Sequence, residues 1–554
     1  TLGKYEIMEL CQASGVPSMP VQSSQDRFEN DPQLQHRNMY IPVEHLALGT
    51  WPLQNAPFKM SETPAFNHLA GPLIGGHNKD VLEGLLGISH EELVNGFEDG
   101  TFWPRTLDRD SYPYLQEMIE DSTPVRWTGN KPGPNPAPTP VFTTDSGAFN
   151  GLRVLELADE KGQWCGKLMA DMGADVIKIE PPGGEAARSV RPFYQDVPNR
   201  ERSLFFWHYN TSKRGITLDL ETEDGRQLFR QMADKADVIL ETFRPGKMTS
   251  LGLGYDELKQ SNPGLIICSL TPFGQTGPWK DYKTSDLLHL AAGGQMARCG
   301  YHEEDVPGSQ PIAPDGGQAW HIGNHFAYIA ISAALVSRSV TGRGQYIDSS
   351  IHDACALTTE GHVNRYIYTG VVVERGTGGG NSPGTSQRLC SDGKYLSAGG
   401  INRINPERVP ALAQWMNEYG LADDLLEEKY KDPAEINENQ PHIRDLLLNF
   451  IASITRDEAF HGLQKRGHNV GAIRSPDEVM EDPHLEDRGF WEQVDYPEVG
   501  KSFRHPGPTA IFNGSPWRIS RRAPLIGEHN EEILCGELGL SKAEMVVLAE
   551  GGVL

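Results

Sequence analysis

Val154-Leu-Glu-Leu157, a helical stretch from Gly166 to Met172, and Ala174-Asp-Val-Ile-Lys-Ile-Glu180 stopped by Pro181-Pro182-Gly183-Gly184 decide the fold. Two apolar runs of strand length flank one helix, and the proline and glycine pairs end the second run abruptly. The alternation continues with Gly215-Ile-Thr-Leu-Asp-Leu220, a helix over about 223–235, Asp237-Val-Ile-Leu-Glu241 and Leu265-Ile-Ile-Cys-Ser-Leu270. Short apolar strands separated by helices predict a parallel sheet covered on both faces. The expected fold is α/β: an open, doubly wound, Rossmann-like large domain accompanied by a smaller α+β domain.

Working outward, Trp320 to Val340 reads as a long helix rich in small residues that ends at Thr341-Gly-Arg-Gly-Gln345, with a strand and helix following through Ile347 to Leu357. Gly376-Thr-Gly-Gly-Gly-Asn-Ser-Pro-Gly384 is a flexible loop. Residues 72–93 return at 524–545, and Asp31-Pro-Gln-Leu-Gln-His-Arg37 returns as Asp482-Pro-His-Leu-Glu-Asp-Arg488. The opening of the chain therefore reads as the tail of one module and the rest as a complete second one. Between them Lys131-Pro-Gly-Pro-Asn-Pro-Ala-Pro-Thr-Pro140 pins φ at alternate positions, as a stiff linker does. The expected division is 1–110 as the C-terminal part of a first module and 111–150 as a proline-rich linker. Residues 151–385 are then the large domain, 386–475 the smaller domain, and 476–554 a segment returning to the large domain.

A chain of 554 residues exceeds what one core supports. Its 75 acidic against 50 basic residues, a formal charge of −25, exclude general nucleic-acid binding, because neutralising phosphates needs a basic surface. The seven cysteines stand singly, without Cys-x-x-Cys spacing, so neither a disulfide framework nor a zinc site is expected. No apolar run reaches the roughly 18 residues of a membrane span. A cytoplasmic protein without metal and without membrane contact is expected.

Five segments in order carry a family resemblance: Asp171-Met-Gly-Ala-Asp-Val-Ile-Lys-Ile-Glu-Pro-Pro-Gly-Gly-Glu185; Asn210-Thr-Ser-Lys-Arg-Gly-Ile-Thr-Leu-Asp-Leu220; Glu241-Thr-Phe-Arg-Pro-Gly246 with Leu251-Gly-Leu-Gly-Tyr255; Phe273-Gly-Gln-Thr-Gly-Pro278; and Thr341-Gly-Arg-Gly-Gln345. Together they resemble the class III CoA-transferase (CaiB/BaiF) family over residues 151–554, and the repeated tail extends the likeness to 1–110. The resemblance implies coenzyme A carried as an acyl-CoA substrate, a carboxylic acid acceptor, and two modules threaded through each other as an interlocked dimer or in association with another such module. It also implies an aspartate that attacks the thioester, passing through a mixed anhydride and an aspartyl-CoA thioester. A carboxylate can do this when held near the thioester and kept from water.

By the same resemblance the nucleophile precedes the small-residue helix, which makes Asp315 the candidate, with His321 beside it as an orienting or acid–base group. Counting back from Thr341 at the family's spacing without a gap reaches Trp320 instead. Either the loop carries an insertion and Asp315 serves, or this module lacks the nucleophile and Asp315 is the polar residue of a Pro-Asp-Gly turn. Asp286 is a second acid, read as a helix start. Gly378, Gly379 and Gly380 match the family's glycine-rich lid. The positions matching its CoA contacts are Lys213, Arg214, Phe243, Arg244, Lys247 and Arg188: an aromatic ring for adenine and cations for phosphate. The family's arginine at position 250 is Ser250 here, and Lys161-Gly-Gln-Trp-Cys-Gly166 lacks the dinucleotide fingerprint, which disfavours a nicotinamide enzyme. His352 on its apolar helix reads as a core residue. The expected activity is CoA transfer. The alternatives are an acyl-CoA racemase, a CoA-transferase/lyase of the same fold, and a non-catalytic module of a heteromeric transferase.

Overall fold

The computed structural model describes residues 2–65, 67, 69–103, 108, 111–125, 147–301, 303–304, 306–375, 387–401 and 403–554. One unit comprises Thr1–Met39, Ala56–Ala65 and Ser146–Leu554; the other comprises Tyr40–Asn55 and Phe66–Asp145.

The larger unit is built on seven strands: β1 (Phe58–Met60), β2 (Arg153–Leu157), β3 (Asp175–Glu180), β4 (Arg214–Thr217), β5 (Val238–Glu241), β6 (Ile266–Thr271) and β7 (Tyr346–Ser350). They lie in the order β1-β7-β6-β5-β2-β3-β4. Strands β2 to β7 are parallel, whereas β1 runs antiparallel to β7, with Phe58 opposite Ser349 and Met60 opposite Ile347. The chain lays β2, β3 and β4 toward one edge and then returns to set β5 on the other side of β2. That reversal opens a crevice at the strands' carboxyl ends, the place where open α/β sheets bind ligands.

Alternation along the strands makes two cores. Val154, Val176, Val238, Leu240, Ile266, Cys268 and Ile347 face one layer, while Leu155, Ile177, Ile179, Ile216, Ile239 and Ile267 face the other. The first layer is closed by α2 (Gln163–Asp171) and α4 (Gln318–Thr341), the helix expected at Trp320 to Val340. Ala319, Gly323, Asn324, Ala327, Ala330, Ile331 and Ala334 are its buried positions, a three-to-four-residue spacing of mostly small side chains that lets α4 lie close to the sheet. At Gly323 a Cβ would stand 2.7 Å from Ile351 Cγ1. Two further helices, α3 (Asp286–Ala292) and α5 (Ile351–Leu357), pack beside it.

Within residues 1–65, Thr1–Met39 and Ala56–Ala65 belong to the larger unit and Tyr40–Asn55 to the smaller. Helix α1 (Pro32–His36) is capped by Asp31, which accepts from the Gln33 and Leu34 amides at 2.9 Å each. The other Asp31 oxygen meets His352 Nε2 at 2.8 Å. Arg37 donates to Asp353 at 2.6 Å and Asp348 at 2.7 Å, and all of these groups are buried. Buried charges of this kind need each other, and β1 needs the β7 edge, so both segments belong to the larger unit.

Within the same unit, residues 387–475 gather a separate core around Leu412, Trp415, Met416, Leu447 and Phe450, beside a three-stranded antiparallel sheet. Near the C-terminus α6 (Pro483–Asp487), capped by Asp482, leads into the hairpin Trp491–Tyr496/Lys501–Pro506. The smaller unit has the matching hairpin Tyr40–His45/Gly49–Gln54, and two helices, His90–Asp99 and Pro113–Glu120, around Leu93, Phe97, Trp103 and Leu115. The second helix occupies part of the stretch expected as linker, because the apolar Leu115, Met118 and Ile119 give it a face to bury; the run 131–140 lies outside the described residues. No described helix is long and apolar enough to cross a membrane.

Candidate active site

A cavity of about 320 Å³ opens at the switch point between β2 and β5. Its apolar floor is Leu157, Ile179, Leu218 and Leu251, and Phe243 and Lys247 stand in its wall. The loop after β5 supplies both, since Thr242 Oγ1 donates to Asp159 at 2.9 Å and so ties the ends of β5 and β2 together. Arg244, next in the loop, is exposed and makes no ion pair among the described residues. The rim is acidic, with Asp159, Asp219 and Glu221, and Lys247 is paired with Glu221.

The other three basic residues expected at CoA point elsewhere. Lys213 is fully buried, and its amine donates to Glu156, Gln163 O and Asn210 Oδ1 at 2.9–3.0 Å. Burial lowers its pKa to about 8, against the pull of Glu156. Arg188 clasps Glu180 at 2.6 and 2.7 Å, reaches Glu201 at 2.8 Å, and lies 3.8 Å over the Phe206 ring. Arg214 joins Asp175, Glu532 and Glu537, closing the C-terminal segment onto β4. All three cations are engaged by carboxylates inside the fold, whereas the resemblance expects them at the phosphates of CoA.

The second feature lies at the amino end of α4. Gly316 and Gly317, both at positive φ (90° and 72°), turn the chain into the helix. Asp286 Oδ1 accepts from the Ala319 amide at 2.7 Å and the Trp320 amide at 3.4 Å, while its Oδ2 has no partner among the described residues. Burial raises the Asp286 pKa, opposed by those two amides and reinforced by Asp315. Asp315 itself is exposed, its carboxylate accepting from the Gly316 amide at 2.8 Å. Trp320 turns into the core edge-on to His289, ring centroids 5.4 Å apart.

One turn along α4, His321 Nε2 shares a 2.9 Å hydrogen bond with the Tyr209 hydroxyl. Burial lowers the His321 pKa, and burial together with Asp286 raises that of Tyr209, so both are neutral near pH 7. Trp164, from the first turn of α2, fills the space beside them, its centroid 4.9 Å from His321, and donates to His325 Nε2 at 3.2 Å. Asn324 fixes the two helices: its Oδ1 accepts from the Cys165 amide and its Nδ2 donates to the Lys161 and Trp320 carbonyls. Neither Tyr209 nor Asn324 stood out in the sequence; a lone asparagine in a small-residue helix was the only signal. Gly378, Gly379 and Gly380 lie outside the described residues.

Glu241, at the end of β5, is buried and accepts from the Phe243 amide at 2.7 Å, with no ion pair among the described residues. Burial pushes its pKa up to about 7 from 4.5. The folded form therefore holds a proton that the unfolded chain has released between those values, and stability falls as pH rises from about 4.5 to about 7, by roughly 3 kcal/mol. Glu241→Gln removes that decline in urea titrations at pH 5, 6, 7 and 8 and is more stable than the parent at pH 8; equal slopes for both proteins refute this.

The chain is similar to known proteins. CoA-transferase family III matches residues 3–78 and 149–530. The succinyl-CoA:(R)-benzylsuccinate CoA-transferase subunit BbsE of Thauera aromatica is 31% identical over 394 residues, 70% of this chain and 94% of the relative. The succinyl-CoA–D-citramalate CoA-transferase of Chloroflexus aurantiacus is 31% identical over 406 residues, 72% and 96% of the two chains. A solved CAIB/BAIF family protein from Brucella suis superposes with a TM-score of 0.60 at 29% identity, covering 71% of this chain and all of that one. With matches that run through the parallel sheet, the switch-point cavity and α4 alike, the chain belongs to CoA-transferase family III, enzymes that move CoA from an acyl-CoA thioester to a carboxylic acid.

Proposed function

We propose that CoA passes through a side-chain carboxylate at the amino end of α4, held as an aspartyl-CoA thioester on the way to the acceptor acid. The observation that carries this reading is a half-buried acid held on one oxygen by two backbone amides, its other oxygen without a partner among the described residues. The amides would polarise the carboxyl carbon when CoA attacks it. Phe243 and Lys247 in the cavity wall would offer a face for adenine and a cation for phosphate, with exposed Arg244 beside them in the loop. Succinyl-CoA, the donor named for the Thauera and Chloroflexus relatives, is the first donor to test. The full chain incubated with succinyl-CoA, quenched in acid and digested is expected to yield one peptide from this region carrying CoA; its absence under turnover defeats the reading.

A second reading concerns partners. We propose that residues 482–512 dock onto another module of this family. In the first copy of the repeat, Asp31, Leu34 and Arg37 are buried against β7 and α5. In the second, Arg488 is exposed and Asp482 and Leu485 are half-buried, while Ile511 (64%) and Phe512 (45%) are exposed where the repeat matches β1. This chain's own acceptor groove is filled by its own residues, which favours a different module over a symmetric interlocked pair.

A further inference from the structure

The carboxylate at the family's reaction centre need not come from the residue the family spacing indicates. In this chain that position is Trp320, whose partly buried indole packs against the core, edge-on to His289. Its backbone amide points at Asp286 Oδ1, 3.4 Å away and 34 residues earlier on α3. A carboxylate therefore stands within hydrogen-bond reach of the residue-320 backbone without being residue 320. Asp315 offers less: it is exposed on a tight turn, its carboxylate on the next amide, in water that would compete for any acyl intermediate.

We propose that Asp286 is the acyl-accepting nucleophile of this module, supplied by α3 in place of a residue on α4. The inference rests on the aspartyl-CoA reading above and names its residue. The free Oδ2 attacks the thioester carbonyl carbon; the new C–O bond forms as the C–S bond breaks, and its electron pair leaves on the CoA thiolate. The thiolate attacks Asp286 Cγ and expels the donor acid as a carboxylate, leaving the Asp286 thioester. The acceptor carboxylate then attacks Cγ, again releasing CoA thiolate. That thiolate takes the acyl carbon of the second anhydride, giving the product acyl-CoA and restoring the Asp286 carboxylate. No outside proton or electron is consumed. Oδ1 remains on the Ala319 and Trp320 amides throughout, where developing negative charge is stabilised. Tyr209 and His321, both neutral, line the same end of α4 and add hydrogen-bonding groups without an extra charge.

The test compares Asp286→Asn with Asp315→Asn in the full chain, using succinyl-CoA with a panel of dicarboxylates, or whichever donor gives turnover with the parent. Asparagine keeps an oxygen for the Ala319 amide, so Asp286→Asn is expected to melt with the parent while kcat falls about 10³-fold or more and the CoA-bearing peptide disappears. Asp315→Asn is expected within about threefold of the parent. If Asp286→Asn is folded and active while Asp315→Asn is dead, with the adduct on Asp315, the inference falls and the aspartyl-CoA reading stands. If both variants turn over like the parent, both fall. If Asp286→Asn fails to fold, the adduct site in the parent decides: on residue 286 it supports the inference, anywhere else it overturns it.

Discussion

Arg37→Ala is expected to lose about 3–5 kcal/mol of stability, read as a lower urea midpoint at pH 7. Its guanidinium is buried between two buried carboxylates, 2.7 Å from Asp348 and 2.6 Å from Asp353. Bringing three such groups out of water is costly, and only their mutual attraction and the fork geometry of arginine offset the cost. Truncating the cation leaves two negative charges facing each other in a poor solvent. Arg37→Lys keeps the charge but not the fork and should recover only part of the loss. A cycle with Asp353→Asn should show strong coupling, because that variant removes one of the orphaned charges. A loss under about 1 kcal/mol, or additive single effects, would falsify this account.

The second large effect concerns the repeat's other copy. Affinity purification of the full chain from its native cells is expected to bring down a second family III module in stoichiometric amount. That partner should be lost with Arg488→Ala combined with Ile511→Asp. Arg488 matches Arg37 but meets only the Thr509 carbonyl, at 3.3 Å, among the described residues. In a partner's groove it would gain carboxylates like Asp348 and Asp353, and residues 509–512 could add to a bare sheet edge as β1 does here. Losing a desolvated charge pair and an apolar anchor together lowers affinity by several kcal/mol, about a thousandfold or more. Recovery of the chain alone, or retention of the partner by the double variant, counts against the docking.

How much of this was legible depended on the kind of signal. The strands from Val154 to Leu270 could be read because parallel strands are apolar on both faces, and they lie within a residue or two of where the pattern puts them, save that β4 spans Arg214–Thr217 rather than reaching Leu220. The helix Pro113–Glu120 was hidden because its apolar face is only three residues long. Lys213, Arg188 and Arg214 could not be sorted in advance: a buried strut and a ligand contact look alike until the partners Glu156, Glu180 and Asp175 are placed around them. Asp286 was readable as an acid at a helix start, but not as the acid that the amides of α4 would address.

The edge pairing of β1 with β7 also bears on how the protein acquires its shape. A ribosome releases β1 first, and all the other strands of the sheet must emerge before its neighbour exists. Closure of this edge is thus the most non-local strand pairing in the sheet, a slow step by loop-closure entropy. Until it happens, the β7 backbone is an open template on which newly made chains can pair with one another. Versions beginning near residue 146 would never close it, and insoluble aggregates are their expected fate.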